Sequence, residues 1–504
     1  MAVALASSLH AQSSGLQYVQ TIGIPGWGAT GSAGNANVDL LGYNPVTRMM
    51  YLADRTNHGI DVIDTRTNVV VGLIKIPPTS IYGTPVTGPN GVIVAINLQQ
   101  LVVTDGLQSV YVWDLRAPQA NPDLYTFPPS MGTDTDGIAY DPINQTVYVV
   151  TDNPPEYLIG INLAYKKVVT QAALPVSSDL IAFNPTDGKI YVAAEDADAA
   201  APNTNANAGV LSFDPVSGTF ATVAKLGPAC PGHGIDIDPI ANVAVVGCAA
   251  SAQAVANAAV NLSTGASKYF PDIGGTDAVV FNPNNRRFYM NGLNYSSSAA
   301  GPPLNCPTSN SPTNIMNKRP TVIGAADALA GAPAELAGLV CGASGHIVGV
   351  DPITNYVYVP TGQYPLDPAT NTSGVNGVAV FRDTTAPRQT PVTQAQATLA
   401  AIPGSGAAVA GTIQFTLTGR RIHLTAAPTG LPAGAMAAWI TVPTTVTNEL
   451  LPCAVNPSNL TAVCGEDLLG DPLIGATATL STDGGSGGTA VARGVIGLTN
   501  VPPH

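Results

Sequence analysis

The chain has 504 residues, of which 52 are Gly and 43 Pro, a composition that excludes long helical bundles. Apolar residues make up 45% and charged residues only 10%, enough apolar side chain for more than one core and too little charge for disorder by self-repulsion. The formal net charge of −13, from 19 Lys and Arg against 32 Asp and Glu, argues against a broad nucleic-acid-binding surface.

In chain order, residues 1–12, MAVALASSLHAQ, combine an apolar run with small residues and a plausible cleavage after Ala11, and read as the remnant of a secretory signal peptide. No later stretch has the length and apolarity of a transmembrane helix. The six cysteines fall into three sequence-near pairs: Cys230 with Cys248, Cys306 with Cys341, and Cys453 with Cys464. Their even number, the lack of any C-x-x-C and the export-like start favour disulfides, the last two pairs stapling long irregular insertions. This places the protein outside the cytoplasm: secreted, periplasmic or at the cell surface.

Residues 13–385 are organised by a repeat: an apolar strand, Asp-Pro or Asn-Pro, a polar turn, and a second apolar strand. Copies read LLGYNPVTRMMYLAD around Asn44, GIAYDPINQTVYVVTD around Asp141, LIAFNPTDGKIYVAAED around Asn184, GIDIDPIANVAVVG around Asp238, VVFNPNNRRFYMNG around Asn282 and IVGVDPITNYVYVP around Asp351. Each is a hairpin whose proline presets φ in the turn. The prolines stand at intervals of 97, 43, 54, 44 and 69 residues, and the interval of 97 calls for one degenerate copy, which 91–115 supplies. A second hairpin half follows in 59–76, 109–115, 158–169 and 209–223. Two hairpins per repeat, seven times, predict a seven-bladed β-propeller. Residues 16–23 would add the outer strand of the blade that begins at Ile347.

The hairpins DPINQTVYVVTD (141–152), NPTDGKIYVAA (184–194) and DPITNYVYVP (351–360) resemble the YVTN family of β-propeller repeats, related to the NHL and SMP-30-like propellers. The resemblance extends over residues 25–385. It implies a propeller of the secreted or surface-layer kind, in a group whose members are binding modules, surface proteins and, among broader relatives, metal-dependent hydrolases or lactonases. The chain departs from a regular array in its weak second hairpin, in the loop 202–209 and in the large insertion 294–339. Residues 386–398 have linker composition. Residues 399–504, with strand-like stretches 411–427, 437–447 and 476–484 between Pro and Gly turns, predict a small β-sandwich-like domain.

Six residues before each repeat proline stand Asp39, Asp136, Asp179, His233, Asp277 and His346, with Asn90 at the corresponding place in the weak copy. In a propeller this position starts the innermost strand, so these side chains converge on one end of the central channel. Carboxylates there also tie blades together by accepting backbone N–H groups. Imidazole with carboxylate suits a transition metal, whereas an all-oxygen set suits calcium. His233, His346, Asp136, Asp179 and Asp277 are therefore the candidate ligands of one divalent ion. Asp54, Asp105 and Asp152 read as turn caps, Arg55, Asn57 and His58 as a solvated turn, and Glu195 as part of a loose acidic loop.

No G-x-S-x-G, H-E-x-x-H, P-loop or C-x-x-C-H motif occurs. The first functional reading is a secreted or cell-surface propeller that binds an extracellular protein, glycan or small molecule, or self-assembles. The alternative is a metal-dependent hydrolase or lactonase whose site is the channel ring.

Overall fold

The structure, a computed structural model, describes residues 15–27, 37–45, 47–77, 88–132, 134–142, 144–152, 154–195, 207–248, 256–270, 273–283, 285–295, 317–336, 340–341, 347–361, 377–384, 394–418, 421–444, 448–468, 472, 476–482 and 488–498. The signal-peptide reading of 1–12, His346, Cys306 and the side chain of Cys341 lie outside them.

Seven antiparallel sheets are arranged like propeller blades. Their innermost strands are Val38–Asn44, Pro89–Ala95, Asp134–Asp141, Ser178–Asn184, Gly232–Asp238, Ile273–Asn282 and Gly349–Asp351, and blades 1 to 7 are numbered in that order. Six blades have four strands, and blade 6 has five. Leu16–Gly23 pairs with Gly377–Asp383 from Leu16 opposite Asp383 to Gly23 opposite Gly377, so the start of the domain completes blade 7 as expected. The stretch 294–339 is not a plain insertion, because Asn317–Gly324 inside it is the third strand of blade 6.

One backbone feature marks all seven copies. The residue three positions past the repeat proline adopts a left-handed conformation in every blade: Arg48, Gln99, Gln145, Gly188, Asn242, Arg286 and Asn355 have φ of 60°, 52°, 53°, 72°, 54°, 57° and 58°. Gln99 belongs to the copy without the proline, so the turn geometry persists where the motif has decayed.

These turns also join neighbouring blades. The last residue of one inner strand reaches the left-handed residue of the next blade: Asn44 donates to Gln99 (3.3 Å), Asn184 to Asn242 (3.0 Å) and Asn282 to Asn355 (3.0 Å). Where the strand ends in Asp, the next turn offers Arg: Arg286 pairs with Asp238 at 2.8 Å and Arg48 with Asp351 at 3.0 Å. Blade 3 ends in Asp141, but the next turn holds Gly188. There the C-terminal domain intervenes: the Arg493 guanidinium lies 2.4 Å from where a Cβ of residue 188 would stand, in the field of Asp141 and Asp187.

The C-terminal domain is a closed eight-stranded β-barrel and not the expected sandwich. Its strands run Ala410–Thr418, Arg421–Ala426, Thr461–Leu468, Asn448–Asn456, Ala438–Pro443, Thr477–Thr482, Thr489–Val495 and Gln394–Ala401 around the barrel. Gln394–Ala401 closes it by pairing with both Ala410–Thr418 and Thr489–Val495, although its first residues fall in the stretch whose composition reads as linker. Inward residues such as Ile413, Phe415, Leu424, Ile440 and Leu480 fill the barrel with one apolar core. Cys453 and Cys464 are disulfide-bonded and directly opposed on adjacent strands, so this bridge clamps a hairpin and not an irregular insertion. Cys230–Cys248 ties the entry of blade 5 to its second strand. The barrel lies over the face on which the inner strands end, against Pro185, Thr186, Pro239 and Ile240.

Candidate metal centre

At the opposite face, where the inner strands begin, a cavity of about 320 Å³ is lined by Asp39, Arg55, Asp136, Asp152, Asp179, Glu195, His233 and Asp277 among others. Glycine lets the strands crowd there. Gly91, Gly137 and Gly234 each follow a ring position, and a Cβ on them would stand 2.4, 2.1 and 2.2 Å from the carbonyl oxygens of Asp136, Asp179 and Asp277 in the next blade. The absence of a side chain thus brings successive ring residues together.

His233 is the hub. Its Nδ1 lies 3.0 Å from Asp179 Oδ2 and 3.1 Å from Asp277 Oδ1, and its Nε2 lies 2.5 Å from Glu195 Oε1. The imidazole is 31% exposed and the Asp179 and Asp277 side chains 18% and 15%, so the group is sheltered yet reachable from solvent. Burial alone would push the imidazole pKa down, but the hydrogen bonds to Asp179, Asp277 and Glu195 outweigh it and hold it well above the ordinary histidine value.

Blades 1 and 2 neutralise their part of the ring. Arg55 pairs with Asp39 and donates from Nε to Asn90 Oδ1 at 3.0 Å, and Asn90 in turn donates to Asp134 (2.8 Å) and the Thr135 carbonyl (2.9 Å). On the remaining arc carboxyl groups crowd one another. Burial, then Asp277 and Asp134, push Asp136 up to about 7, and burial with Asp277 raises Asp179 well above the usual carboxylate range. Burial followed by Asp136 raises Asp39 against the opposing effect of Arg55. The Oδ1 atom of Asp136 is buried without a hydrogen-bond partner.

The structure thus brings Asp179, His233 and Asp277 together, with one donor atom from each within 4.8 Å of the others, the candidate metal cluster among the described residues. Asp136 shares their cavity, Asp39 is occupied by Arg55, and His346 lies outside the described residues. Arg55 and Glu195 belong to the site although the sequence reads them as a solvated turn and an acidic loop. Both stand one residue past the partner of the residue before the ring, since Val38 pairs with Asp54 and Ser178 with Ala194. Asp54 and Asp105 cap turns: Asp54 accepts from Asn57 N (3.0 Å) and Trp27 Nε1 (2.7 Å), and Asp105 from Leu107 N (2.7 Å).

Seven blade-like sheets around a channel, with imidazole and carboxylates converging at one mouth, define a propeller-like all-β protein with a candidate metal centre. No protein-family model matches the sequence, and no curated protein matches it. Among solved structures, a chain of "Crystal Structure of Mitotic Checkpoint Complex" is similar, with a TM-score of 0.47 and 11% identity over 76% of this chain and 96% of that one.

Proposed function

We propose that this protein is a divalent-metal-dependent hydrolase of neutral esters or lactones, exported from the cytoplasm, with its site at the ring mouth of the channel. The observation that carries the reading is the meeting of Asp179 Oδ2 and Asp277 Oδ1 at the same nitrogen of His233. Nδ1, Oδ2 and Oδ1 form a nitrogen–oxygen donor set suited to zinc, manganese or iron. The orphaned Oδ1 of Asp136 and the excess of buried carboxylate beside it fit a cation there. With an ion in place of the Nδ1 proton, Glu195 on Nε2 would hold the remaining N–H and orient the ring, as outer-shell carboxylates do for metal-binding histidines.

When bound, the ion would supply Lewis acidity toward a carbonyl oxygen and a more acidic water. The chain's own groups do the rest. Asp136 offers a buried acceptor to the proton of the attacking water. Arg55 spans Asp39 and Asn90 and screens one side of the mouth, so an uncharged substrate meets less repulsion there than an anion meets on the acidic arc. Two disulfides suit an oxidising compartment, and no helix among the described residues is long and apolar enough to cross a membrane.

Elemental analysis of protein purified without chelator, beside His233→Ala, tests the reading. The expected result is close to one equivalent of a transition metal, lost in the variant, with ester or lactone hydrolysis abolished by chelator and restored by the ion. Absence of metal under refilling conditions overturns it. Stoichiometric metal without hydrolysis across a panel of esters and lactones overturns the enzyme and leaves a binding propeller with a structural ion.

A further inference from the structure

The second half of the channel has a different construction. One position past the ring, Leu40, Leu180, Ala278 and Ile347 belong to a common apolar cluster and separate the ring from the space beyond. Two positions further along the inner strands the residues are Gly42, Ile93, Ala139, Ala182, Asp236, Val280 and Gly349. At the first level Leu40 and Leu180, which border both the ring cavity and the space beyond, stand between the two, and at the second Gly42, Ala139 and Ala182 leave room. The result is a chamber of about 480 Å³, walled by the inner strands of blades 1 to 6 and by Val348 before that of blade 7, and floored by the barrel through Thr441, Pro443, Asn448, Ala476, Thr477 and Thr479. A propeller selected only for stability would fill this level, since unfilled apolar space forfeits dispersion contacts.

Two polar groups interrupt the apolar lining in a way that points to an occupant. The Asp236 carboxylate, alone among acidic side chains on the described lining, is held by the N–H groups of Ile237 (2.8 Å) and Phe281 (2.6 Å), which fix its direction and leave acceptor capacity on both oxygens. The Thr477 hydroxyl in the floor is buried without a partner, in a residue 7% exposed. A mostly apolar cavity of a few hundred Å³ with a small number of placed polar groups is the usual form of a small-molecule site.

We infer that this chamber binds an uncharged, predominantly apolar small molecule carrying one hydroxyl or amine donor, which Asp236 accepts while Thr477 meets its oxygen or nitrogen. The site is separate from the ring by the leucine plug and stands whether or not a metal binds there.

Titration of the full chain with N-phenyl-1-naphthylamine, followed by fluorescence, tests the inference. Binding is expected to saturate at one site per chain and to weaken by about tenfold or more in Ala182→Phe, whose ring occupies the chamber. Ala139→Val with Ala182→Val, a smaller filling, serves if the phenylalanine variant does not fold by circular dichroism. Competition by 1-naphthol and 1-methoxynaphthalene reads the polar contact. Naphthol is expected to compete several-fold better in the wild type, and the two equally in Asp236→Leu, which has no acceptor. No saturable binding, or binding that both filling variants leave unchanged, overturns the site, and an Asp236→Leu profile identical to wild type overturns the role of the carboxylate.

Discussion

The two ends of the channel use the same seven strands to opposite ends. At the ring, residues of every charge state converge and glycine behind them tightens the circle until carboxylates share a histidine nitrogen. A few residues further along, small side chains open the circle, and a separate barrel covers what they leave. The comparison teaches that repeat symmetry supplies equivalent positions, whereas side-chain volume decides whether those positions become a cluster or a cavity.

The largest test of this contrast is Gly137→Ala. The added methyl would stand 2.1 Å from the Asp179 carbonyl and 2.9 Å from Leu180 Cα, so blades 3 and 4 must part. We expect a loss of about 3 kcal/mol in chemical denaturation, with metal binding weakened more than binding in the chamber. Equal stability to wild type would mean that the strands do not need this approach.

The second test uses pH. Asp136 and Asp236 are each pushed up to about 7 by burial, so the native state holds their protons after the unfolded chain has released them at about pH 4. The His233 proton is likewise held above its ordinary value, and its contribution, complete below about pH 6.5, fades as pH climbs toward the native pKa. All three signs agree: metal-free protein loses stability as pH rises from 4 to 8. A divalent ion should flatten the ring's share, and Asp236→Asn the chamber's, so thermal melts across pH separate the two ends. A melt that rises with pH in the metal-free protein would refute both assignments.

The smallest effect is expected for Arg493→Ala. Arg493 stands where Arg48 and Arg286 stand in their own blades, so its removal leaves Asp141 and Asp187 without the barrel's guanidinium. We expect about 1 kcal/mol of lost coupling between barrel and propeller, shrinking at high salt, with faster entry of the naphthylamine probe and no change at the ring. Unchanged entry kinetics would show that the arginine does not hold the chamber floor.

Much of the propeller is legible in the sequence, because each blade repeats a local pattern of Pro, turn and apolar alternation. The candidate ring positions follow by counting back from those prolines, and of these Asp179, His233 and Asp277 have one donor atom each within 4.8 Å of the others. Arg55 and Glu195 escape such a count, since their relation to the ring runs across a hairpin through strand register. The barrel was hidden for another reason. Gln394–Ala401 consists of Gln, Ala, Thr and Leu, a composition that reads as linker until two distant strands pair with it. Nonlocal pairing leaves little trace in a single sequence. The place of Arg493 emerges only once neighbouring blades are aligned and Gly188 appears opposite an Asp.

The strand Leu16–Gly23 carries a consequence for synthesis. Its partner ends at Asp383, so the first-made strand of the propeller must wait, unpaired, while the six blades between them are translated. At 5–20 residues per second that delay is on the order of half a minute. A β-strand with a free edge over such a time is a template for wrong pairing, and here the folded strand exposes Gln17, Val19 and Gly23 while Gln20 and Thr21 are half-buried. Gln17, Gln20 and Thr21 interrupt the apolar run of the opening strand, and its pairing is complete only once Gly377–Asp383 exists.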